Sequence, residues 1–152
     1  MDDLTLTPIG VVHNSVTDAV DAEWGQVITE IHVQPELAAG LRGLEDWSHM
    51  IVVFYMHNAE FDMEKHLVRR PRDLPEMPEL GIFAQRARHR PNKIGLTAVK
   101  IMSVEGNIVR VRGLDAMDGT PILDLKPYAP VYDGATDPLI PGWFVRLMQG
   151  YF

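Results

Sequence analysis

The stretch that most limits the possible folds of this chain is the run from His49 to Met56. After His49 it is apolar without a break and reads Met50, Ile51, Val52, Val53, Phe54, Tyr55 and Met56. A strand with no polar face has to be covered on both sides. We therefore predict a strand here that is buried on both faces.

Shorter strand-like segments lie on either side of this run. Their predicted ranges are Thr7 to Val16, Gly25 to Val33, Gly81 to Arg86, Leu96 to Glu105, Ile108 to Leu114 and Pro121 to Lys126. A Gly106-Asn107 turn joins two of them as a hairpin. Pro35 to Leu41, with proline at its first position, is predicted as one short helical turn. Short strands separated by turn residues indicate a mostly β barrel or sandwich.

Two segments do not follow the strand pattern. From His57 to Leu80, prolines and mixed charges interrupt the periodicity, which is typical of a long functional or mobile excursion. Near the end of the chain, Leu139 to Tyr151 is predicted to close the fold, with Trp143 and Phe144 as apolar anchors.

Composition narrows the class of protein further. The chain has 152 residues, 46% of them hydrophobic, which predicts one domain over residues 1–152. With no long apolar run and no signal-like beginning, we expect a soluble, cytoplasmic protein without a membrane span. The absence of cysteine excludes disulfides and thiolate catalysis. The six histidines lack the spacing of a zinc motif, so we predict no metal.

Charge is distributed unevenly in this acidic chain, whose net charge is -7. Residues 1–64 contain one basic and twelve acidic residues, whereas residues 65–112 contain eleven basic and four acidic ones. A positive middle segment suits a phosphate-bearing partner such as RNA, and solvated loop charges are the alternative. The acidic first third leaves open a structural role in which it docks a protein partner.

Two long motifs carry a resemblance to a known family. Gly81 to Leu96 reads Gly-Ile-Phe-Ala-Gln-Arg-Ala-Arg-His-Arg-Pro-Asn-Lys-Ile-Gly-Leu, and Gly113 to Tyr128 reads Gly-Leu-Asp-Ala-Met-Asp-Gly-Thr-Pro-Ile-Leu-Asp-Leu-Lys-Pro-Tyr. Both resemble signatures of the TsaA-like (YaeB-like) family, and the similarity runs from about Ile9 to Asp133. Gln85 and Ala87 stand where the family usually has Thr and Ser, and Lys93 where it often has Pro.

The resemblance implies a closed β-barrel and a methyltransferase that uses S-adenosyl-L-methionine. The implied substrate is N6 of threonylcarbamoyladenosine beside the tRNA anticodon, and the implied assembly is a homodimer with the cofactor pocket near the subunit interface. The cofactor-binding residues implied or suggested by the two motifs and their surroundings are Gln26, His57, Asn58, Phe83, Arg86, Arg90, Pro91, Asn92, Leu96, Leu114, Asp115, Asp118 and Thr120.

The basic residues of the positive segment have a chemistry of their own. The planar guanidinium of Arg86 or Arg90 suits a carboxylate, and an ion pair to a nearby acid is the alternative. RNA phosphates are assigned to Arg69, Arg70, Arg88 and Lys93. For Asp115 and Asp118, ordinary turn chemistry is an equally good explanation.

Three side chains of the second motif are predicted to be catalytic. Asp124, Lys126 and Tyr128 are spaced by two, so on a strand they project from one face. Asp124 is the predicted proton acceptor, while Lys126 or Tyr128 orients a carbonyl. An Asp–Lys pair that only fixes the end of the barrel is the alternative.

Two nucleotide-binding motifs are absent from the sequence. It contains no Gly-x-Gly-x-x-Gly after a strand and no Gly-x-x-x-x-Gly-Lys-Ser/Thr, which argues against a Rossmann or P-loop site. The alternative function is a barrel that binds a nucleoside-like ligand or RNA without chemistry.

Overall fold

The computed structural model describes residues 1–18 and 20–152 and contains eight strands and three short α-helices within them. The strands are β1 Gly10–His13, β2 Ile28–Val33, β3 His49–Tyr55, β4 Val68–Arg69, β5 Leu80–Gly81, β6 Ile94–Glu105, β7 Ile108–Arg112 and β8 Pro121–Pro127. The helices are α1 Met63–His66, α2 Pro130–Asp133 and α3 Gly142–Leu147. The 3-10 turns are Trp24–Gln26, Pro35–Leu41, Leu44–Asp46, Pro71–Asp73 and Ile82–Ala84.

Six of the strands form one closed antiparallel barrel, which confirms the predicted fold class. Their order around the barrel is β1-β2-β7-β6-β3-β8. Inward-facing side chains fill the interior, and the largest fully buried members of this core are Ile31, Met50, Leu114 and Ile122. The apolar strand β3 pairs with β6 on one side and β8 on the other, so its position in the barrel explains its composition.

A close approach between β3 and β6 shapes one end of the barrel. The ring of Phe54 lies directly over Gly95, where a Cβ would come within 2.3 Å of the ring. Only glycine leaves room for this contact. The ring is thereby held at the place where β3 ends and the first motif returns to the barrel.

Several observed strands are shorter than the sequence pattern indicated. The strand predicted over Thr7 to Val16 is limited to β1, since the Asn14 carboxamide oxygen accepts from the Val16 amide at 3.0 Å and turns the chain. The strand predicted over Gly25 to Val33 begins only at Ile28, after a 3-10 turn over Trp24–Gln26.

The prediction of a strand over Gly81 to Arg86 is wrong. After the two-residue strand β5, the chain enters a 3-10 turn over Ile82–Ala84, closed by the Gln85 amide donating to the Ile82 carbonyl at 3.1 Å. Ile82 is fully buried, so it anchors this turn from inside. The apolar residues of this segment therefore belong to a turn.

The excursion from His57 to Leu80 contributes no strand to the barrel. Within it, the Asp62 carboxylate accepts from the Glu64 and Lys65 amides at 3.0 Å and caps α1. Beyond α1, β4 pairs with β5 in a separate two-stranded sheet that the sequence pattern did not indicate.

The C-terminal segment, residues 142–152, is hydrogen-bonded to the loop that precedes β2. The Glu23 amide donates to the Gly150 carbonyl at 2.9 Å, and the Trp24 amide donates to the Tyr151 carbonyl at 2.8 Å. Gly25 lies so close that a Cβ there would be 2.5 Å from the Phe152 carbonyl carbon. These contacts hold the C-terminal segment across one end of the barrel.

Candidate functional site

A cleft of about 840 Å³ lies at the end of the barrel that the C-terminal segment crosses, and a compartment of about 620 Å³ adjoins it. We call them the large and the small compartment. The residues that line both, here called the shared wall, are Phe54, Met56, Gln85, Arg86, Ala87, Arg88, Thr97 and Asp115. Volumes of this order suit a nucleoside-sized ligand.

The arginines of the first motif form no ion pair with the acidic residues that the structure describes. The Arg86 guanidinium donates to the Leu96 carbonyl at 2.6 Å, and Arg90 donates to the Gln85 and Ala87 carbonyls at 3.1 and 3.3 Å. Among residues 1–18 and 20–152, no carboxylate lies within 4.0 Å of the guanidinium of Arg86, Arg88 or Arg90. The ion-pair alternative is thus not observed, and their positive charge is available to an anion.

Asp115 is the acidic member of the shared wall. Its carboxylate accepts from the Thr97 hydroxyl and from the Tyr151 hydroxyl, each at 2.5 Å. Burial, together with the neighbouring Asp115 charge, raises the pKa of Tyr151 well above its ordinary value, so the phenol stays a donor. The C-terminal segment is thereby linked to the shared wall through one short hydrogen bond.

Gln85 is a functional candidate that the sequence reasoning treated only as a departure from the family pattern. Its side-chain nitrogen donates to the Arg69 and Leu80 carbonyls, both at 2.9 Å. The residue is 6% exposed, and its side-chain oxygen Oε1 has no donor in the described part of the chain. A buried acceptor without a partner in the shared wall suits a ligand N–H. Its residue type alone gave no signal, because the burial comes from the turn that was predicted as a strand.

Two histidines stack beside the arginines. The rings of His66 and His89 are 4.8 Å apart and nearly parallel, at 11°. His89 accepts from the Arg88 Nε at 3.2 Å and lines the large compartment. Burial, followed by the nearby charges of Arg88, His66 and Arg69, holds the pKa of His89 below its usual value.

The structure brings together many of the predicted cofactor residues. Arg86 and Asp115 belong to the shared wall, and Thr120 lines the large compartment. The small compartment is lined by Phe83, Arg90, Pro91, Asn92 and Leu96.

The remaining cofactor candidates line neither compartment. They are Gln26, His57, Asn58, Leu114 and Asp118. Leu114 is fully buried in the barrel core. The Asp118 carboxylate accepts from the Asn14 backbone amide at 3.0 Å, a hydrogen bond between two distant parts of the chain.

The four residues assigned to RNA phosphates are dispersed. Arg88 and Arg69 line the large compartment, but Arg69 donates to the Asp73 carboxylate at 2.6 Å. Arg70 donates to the Met77 carbonyl, and the Lys93 ammonium lies 4.9 Å from the centre of the Tyr55 ring.

The three predicted catalytic residues lie outside both compartments. Asp124 and Lys126 do share a face of β8, since the Lys126 ammonium donates to the Asp124 carboxylate at 2.8 Å. This hydrogen bond raises the pKa of Lys126. The Tyr128 ring meets His49 edge-on, with ring centres 6.5 Å apart.

Two kinds of site are not found in the described ranges 1–18 and 20–152. No three histidine or acidic side chains come together there in a way that would hold a metal ion. No helix among these residues is long and apolar enough to cross a membrane.

The part of the chain that forms the cleft matches a known protein family. The family model of the tRNA-methyltransferase O N-terminal domain matches residues 21–134, which include both motifs and the shared wall. This chain belongs to that family. The membership confirms the resemblance seen in the two motifs.

Relatives of this family are similar over different shares of their length. A probable S-adenosyl-L-methionine-binding protein of Pyrococcus abyssi is 37% identical over 144 residues, which are 91% of this chain and 75% of that protein. The tRNA (adenine(37)-N6)-methyltransferase of Mus musculus is 44% identical over 93 residues, 61% of this chain. The crystal structure of TrmO from Pseudomonas aeruginosa superposes with a TM-score of 0.73 at 28% identity, over 91% of this chain.

The chain therefore spans less than two thirds of some family relatives. The match covers 62% of the Pseudomonas aeruginosa TrmO chain and 21% of the mouse enzyme. The C-terminal segment, residues 142–152, lies beyond the range that the family model matches.

Proposed function

We propose that this protein is an S-adenosyl-L-methionine-dependent methyltransferase that acts on N6 of threonylcarbamoyladenosine at position 37 of tRNA, in the cytoplasm where tRNA is used. The observation that carries the proposal is the shared wall, with unpaired guanidinium groups beside the Asp115 carboxylate in a nucleoside-sized cleft. Family relatives are named as S-adenosyl-L-methionine-binding proteins and as a tRNA adenine-37 methyltransferase, and they support the same reading.

The small compartment offers the donor set that this cofactor needs. Arg86 and Arg90 present positive charge to a carboxylate, and the unpartnered Gln85 oxygen accepts an N–H. Exposed apolar side chains, including Phe83 at 78% and Leu96 at 46%, provide surface for a base. When bound there, the cofactor supplies a methyl group on a sulfonium.

The chain's own contribution to the chemistry is to position the acceptor and take a proton. The acceptor N6 is a poor, urea-like nucleophile, and it loses its proton as the new N–C bond forms. We assign the proton to the Asp124 carboxylate, with Lys126 or Tyr128 orienting the neighbouring carbonyl. Since all three lie outside the compartments of one copy, the assignment requires a second copy to bring them to the cleft.

A homodimer would meet this requirement. Phe83, Ile94 and Leu96 line the small compartment and are all exposed, at 78%, 39% and 46%. Exposed apolar side chains grouped around one opening favour contact with a partner surface. Light scattering at micromolar concentration should give twice the 17.1 kDa mass of the chain, and a monomer alone would contradict the dimer.

Cofactor binding is the first test of the proposed function. A ligand at 100 times its Kd adds about 2.7 kcal/mol to the free energy of unfolding, which raises the midpoint of a domain of this size by roughly 5 to 10 °C. We expect that shift with S-adenosyl-L-methionine and not with ATP, which controls for general anion binding. No shift with either ligand would contradict the proposal.

The acceptor is tested separately, by transfer of labelled methyl groups to tRNA. We expect methylation of tRNA that carries threonylcarbamoyladenosine at position 37 and none of the same transcript with plain adenosine. Equal labelling of both would show that the enzyme recognises the adenosine at position 37 and not its threonylcarbamoyl group. Cofactor binding with no transfer to either would favour the non-catalytic barrel.

A further inference from the structure

Asp115, the acidic member of the shared wall, is held between two distant parts of the chain. Its Oδ1 accepts from the Thr97 hydroxyl on β6, and its Oδ2 accepts from the Tyr151 hydroxyl in the C-terminal segment, each at 2.5 Å. Thr97 is only 6% exposed and belongs to the wall of the barrel. Tyr151 lies beyond residues 21–134, the range that the family model matches, so the family match assigns it no role.

We infer that Tyr151 is a positioning residue of the cofactor site, which fixes the Asp115 carboxylate so that its two oxygens accept from the adjacent hydroxyls of the cofactor ribose. The inference rests on the proposed function for the presence of S-adenosyl-L-methionine. Through the contact with Asp115, the C-terminal segment takes part in cofactor recognition.

The Asp115 carboxylate has room for two further hydrogen bonds. An ionised carboxylate offers about four acceptor positions, two on each oxygen. Thr97 and Tyr151 occupy one position on each oxygen, so one stays open on each. Within residues 1–18 and 20–152, no lysine, arginine or histidine nitrogen lies within 4.0 Å of this carboxylate. Two neighbouring acceptors suit a ligand with adjacent hydroxyl donors, as the ribose of a nucleoside provides.

The position of Asp115 in the cleft agrees with a contact to the ribose. Asp115 lines both compartments, as does Arg86, to which we assign the cofactor carboxylate. In S-adenosyl-L-methionine the ribose is the central part, between the methionyl group and the adenine. A carboxylate in the wall that the two compartments share is therefore placed for the central part of the cofactor.

The C-terminal segment is held firmly enough to position Asp115. The Trp24 amide donates to the Tyr151 carbonyl at 2.8 Å, and the Tyr151 amide donates to the Met148 carbonyl at 3.1 Å. The Tyr151 ring is half-buried and meets the Phe152 ring edge-on, with ring centres 4.8 Å apart. A side chain that is locked by its own packing and hydrogen bonds can fix the orientation of the group that contacts the ligand.

The test compares two cofactor analogues that differ by one hydroxyl group. The probes are S-adenosyl-L-homocysteine and its 2′-deoxy analogue, and calorimetry gives both Kd values. A hydrogen bond to a charged group contributes about 10- to 150-fold in affinity, so the wild type should bind the deoxy analogue at least about tenfold more weakly. In Tyr151→Phe, which loses only the phenol hydroxyl, this preference should fall below about threefold.

Matched variants show whether Tyr151 acts through Asp115. Tyr132→Phe removes the hydroxyl of an exposed tyrosine that lines neither compartment, and both Kd values should stay at their wild-type level. Asp115→Ala should also lose the preference for the 2′-hydroxyl. Adding Tyr151→Phe to Asp115→Ala should then change either Kd by less than about twofold, because the two residues act as one unit.

The preference for the 2′-hydroxyl is a ratio of two Kd values in the same variant, so a general loss of stability does not imitate its change. The inference would be overturned if Tyr151→Phe weakened both analogues equally or left both unchanged, or if the wild type had no preference. Additive effects of the two substitutions would overturn it as well.

Failure of the proposed function gives a different result. A wild type that prefers the 2′-hydroxyl, with the preference lost in Tyr151→Phe, but that transfers no methyl group to tRNA would contradict the proposed function and support the inference. A wild type that binds neither analogue would contradict both.

Discussion

Two groups of charged side chains in this barrel differ in whether their charges are matched within the chain. On β8, the Lys126 ammonium and the Asp124 carboxylate are 2.8 Å apart and face outward. In the first motif, Arg86, Arg88 and Arg90 lie beside a cleft and, in the part of the chain that the structure describes, form no ion pair. A matched pair needs no ligand, whereas unmatched cations beside a cleft favour an anion.

The largest expected effect tests whether the matched pair is more than a surface feature. A general base contributes about 100- to 10,000-fold to a rate, so Asp124→Asn should lower turnover at least 100-fold if Asp124 accepts the proton. Affinity for S-adenosyl-L-methionine should stay within about twofold. The measurements are single-turnover methylation of tRNA and calorimetry, with the exposed Glu105→Gln as a control that keeps wild-type turnover. Near wild-type turnover of Asp124→Asn would leave the pair as a surface ion pair of small energetic value.

Mixed dimers test whether Arg86 and Asp124 act across the subunit interface. The proposal places these two residues of one active site on different copies of the chain. With S-adenosyl-L-methionine near the wild-type Kd, Arg86→Ala and Asp124→Asn chains should each have little activity, while a mixed dimer contains one site with both residues intact. With random pairing, a one-to-one mixture should regain about a quarter of wild-type activity. No recovery would mean that the two residues do not act across the interface.

The next prediction tests whether the arginines of the first motif bind the cofactor. If the Arg86 guanidinium binds the cofactor carboxylate, Arg86→Ala should cost about 1.5 to 3 kcal/mol of binding, which is roughly a 10- to 150-fold rise in Kd. Arg42→Ala is the matched control, since Arg42 is exposed and lines neither compartment. Calorimetry gives both Kd values, and equal values would show that Arg86 does not contact the cofactor.

The sequence predicted the barrel better than the site because the two depend on different information. The apolar run from His49 and the alternation of β2 are local patterns, and both correspond to observed strands. The turn at Ile82–Ala84 is as apolar as a short buried strand and was assigned wrongly. Its identity is decided by the burial of Ile82, which is a tertiary contact.

The site residues show the same division. Arg86 and Asp115 came from motif resemblance, and the structure places both in the shared wall. Gln85 was noted only as a departure from the family pattern, although its buried side-chain amide donates to two carbonyls and its oxygen has no donor among the described residues. The hydrogen bond from Tyr151 to Asp115 joins residues 36 apart, and a local sequence pattern cannot predict such a pair.

The smallest expected effect is a pH dependence of stability that arises from His89, which is partly buried beside Arg88. Burial and the charge of Arg88 hold the pKa of His89 below its usual 6.5, so the folded state binds fewer protons than the unfolded state. The free energy of unfolding should therefore be highest above pH 6.5 and fall as the pH drops below it, until the pKa of folded His89 is passed. Urea unfolding at several pH values measures this.

The variant His89→Gln tests whether this pH dependence arises from His89. His89→Gln removes the titrating ring, so its stability should fall less between pH 7.5 and pH 5.5 than that of the wild type. The matched control is His49→Gln, which replaces an exposed histidine at the start of β3 that is hydrogen-bonded to Ser48 and packed against Tyr128. An equal fall in all three proteins would contradict the role of His89. A smaller fall in His89→Gln alone would show that the folded protein binds a proton at His89 less readily than the unfolded chain, as burial beside Arg88 predicts.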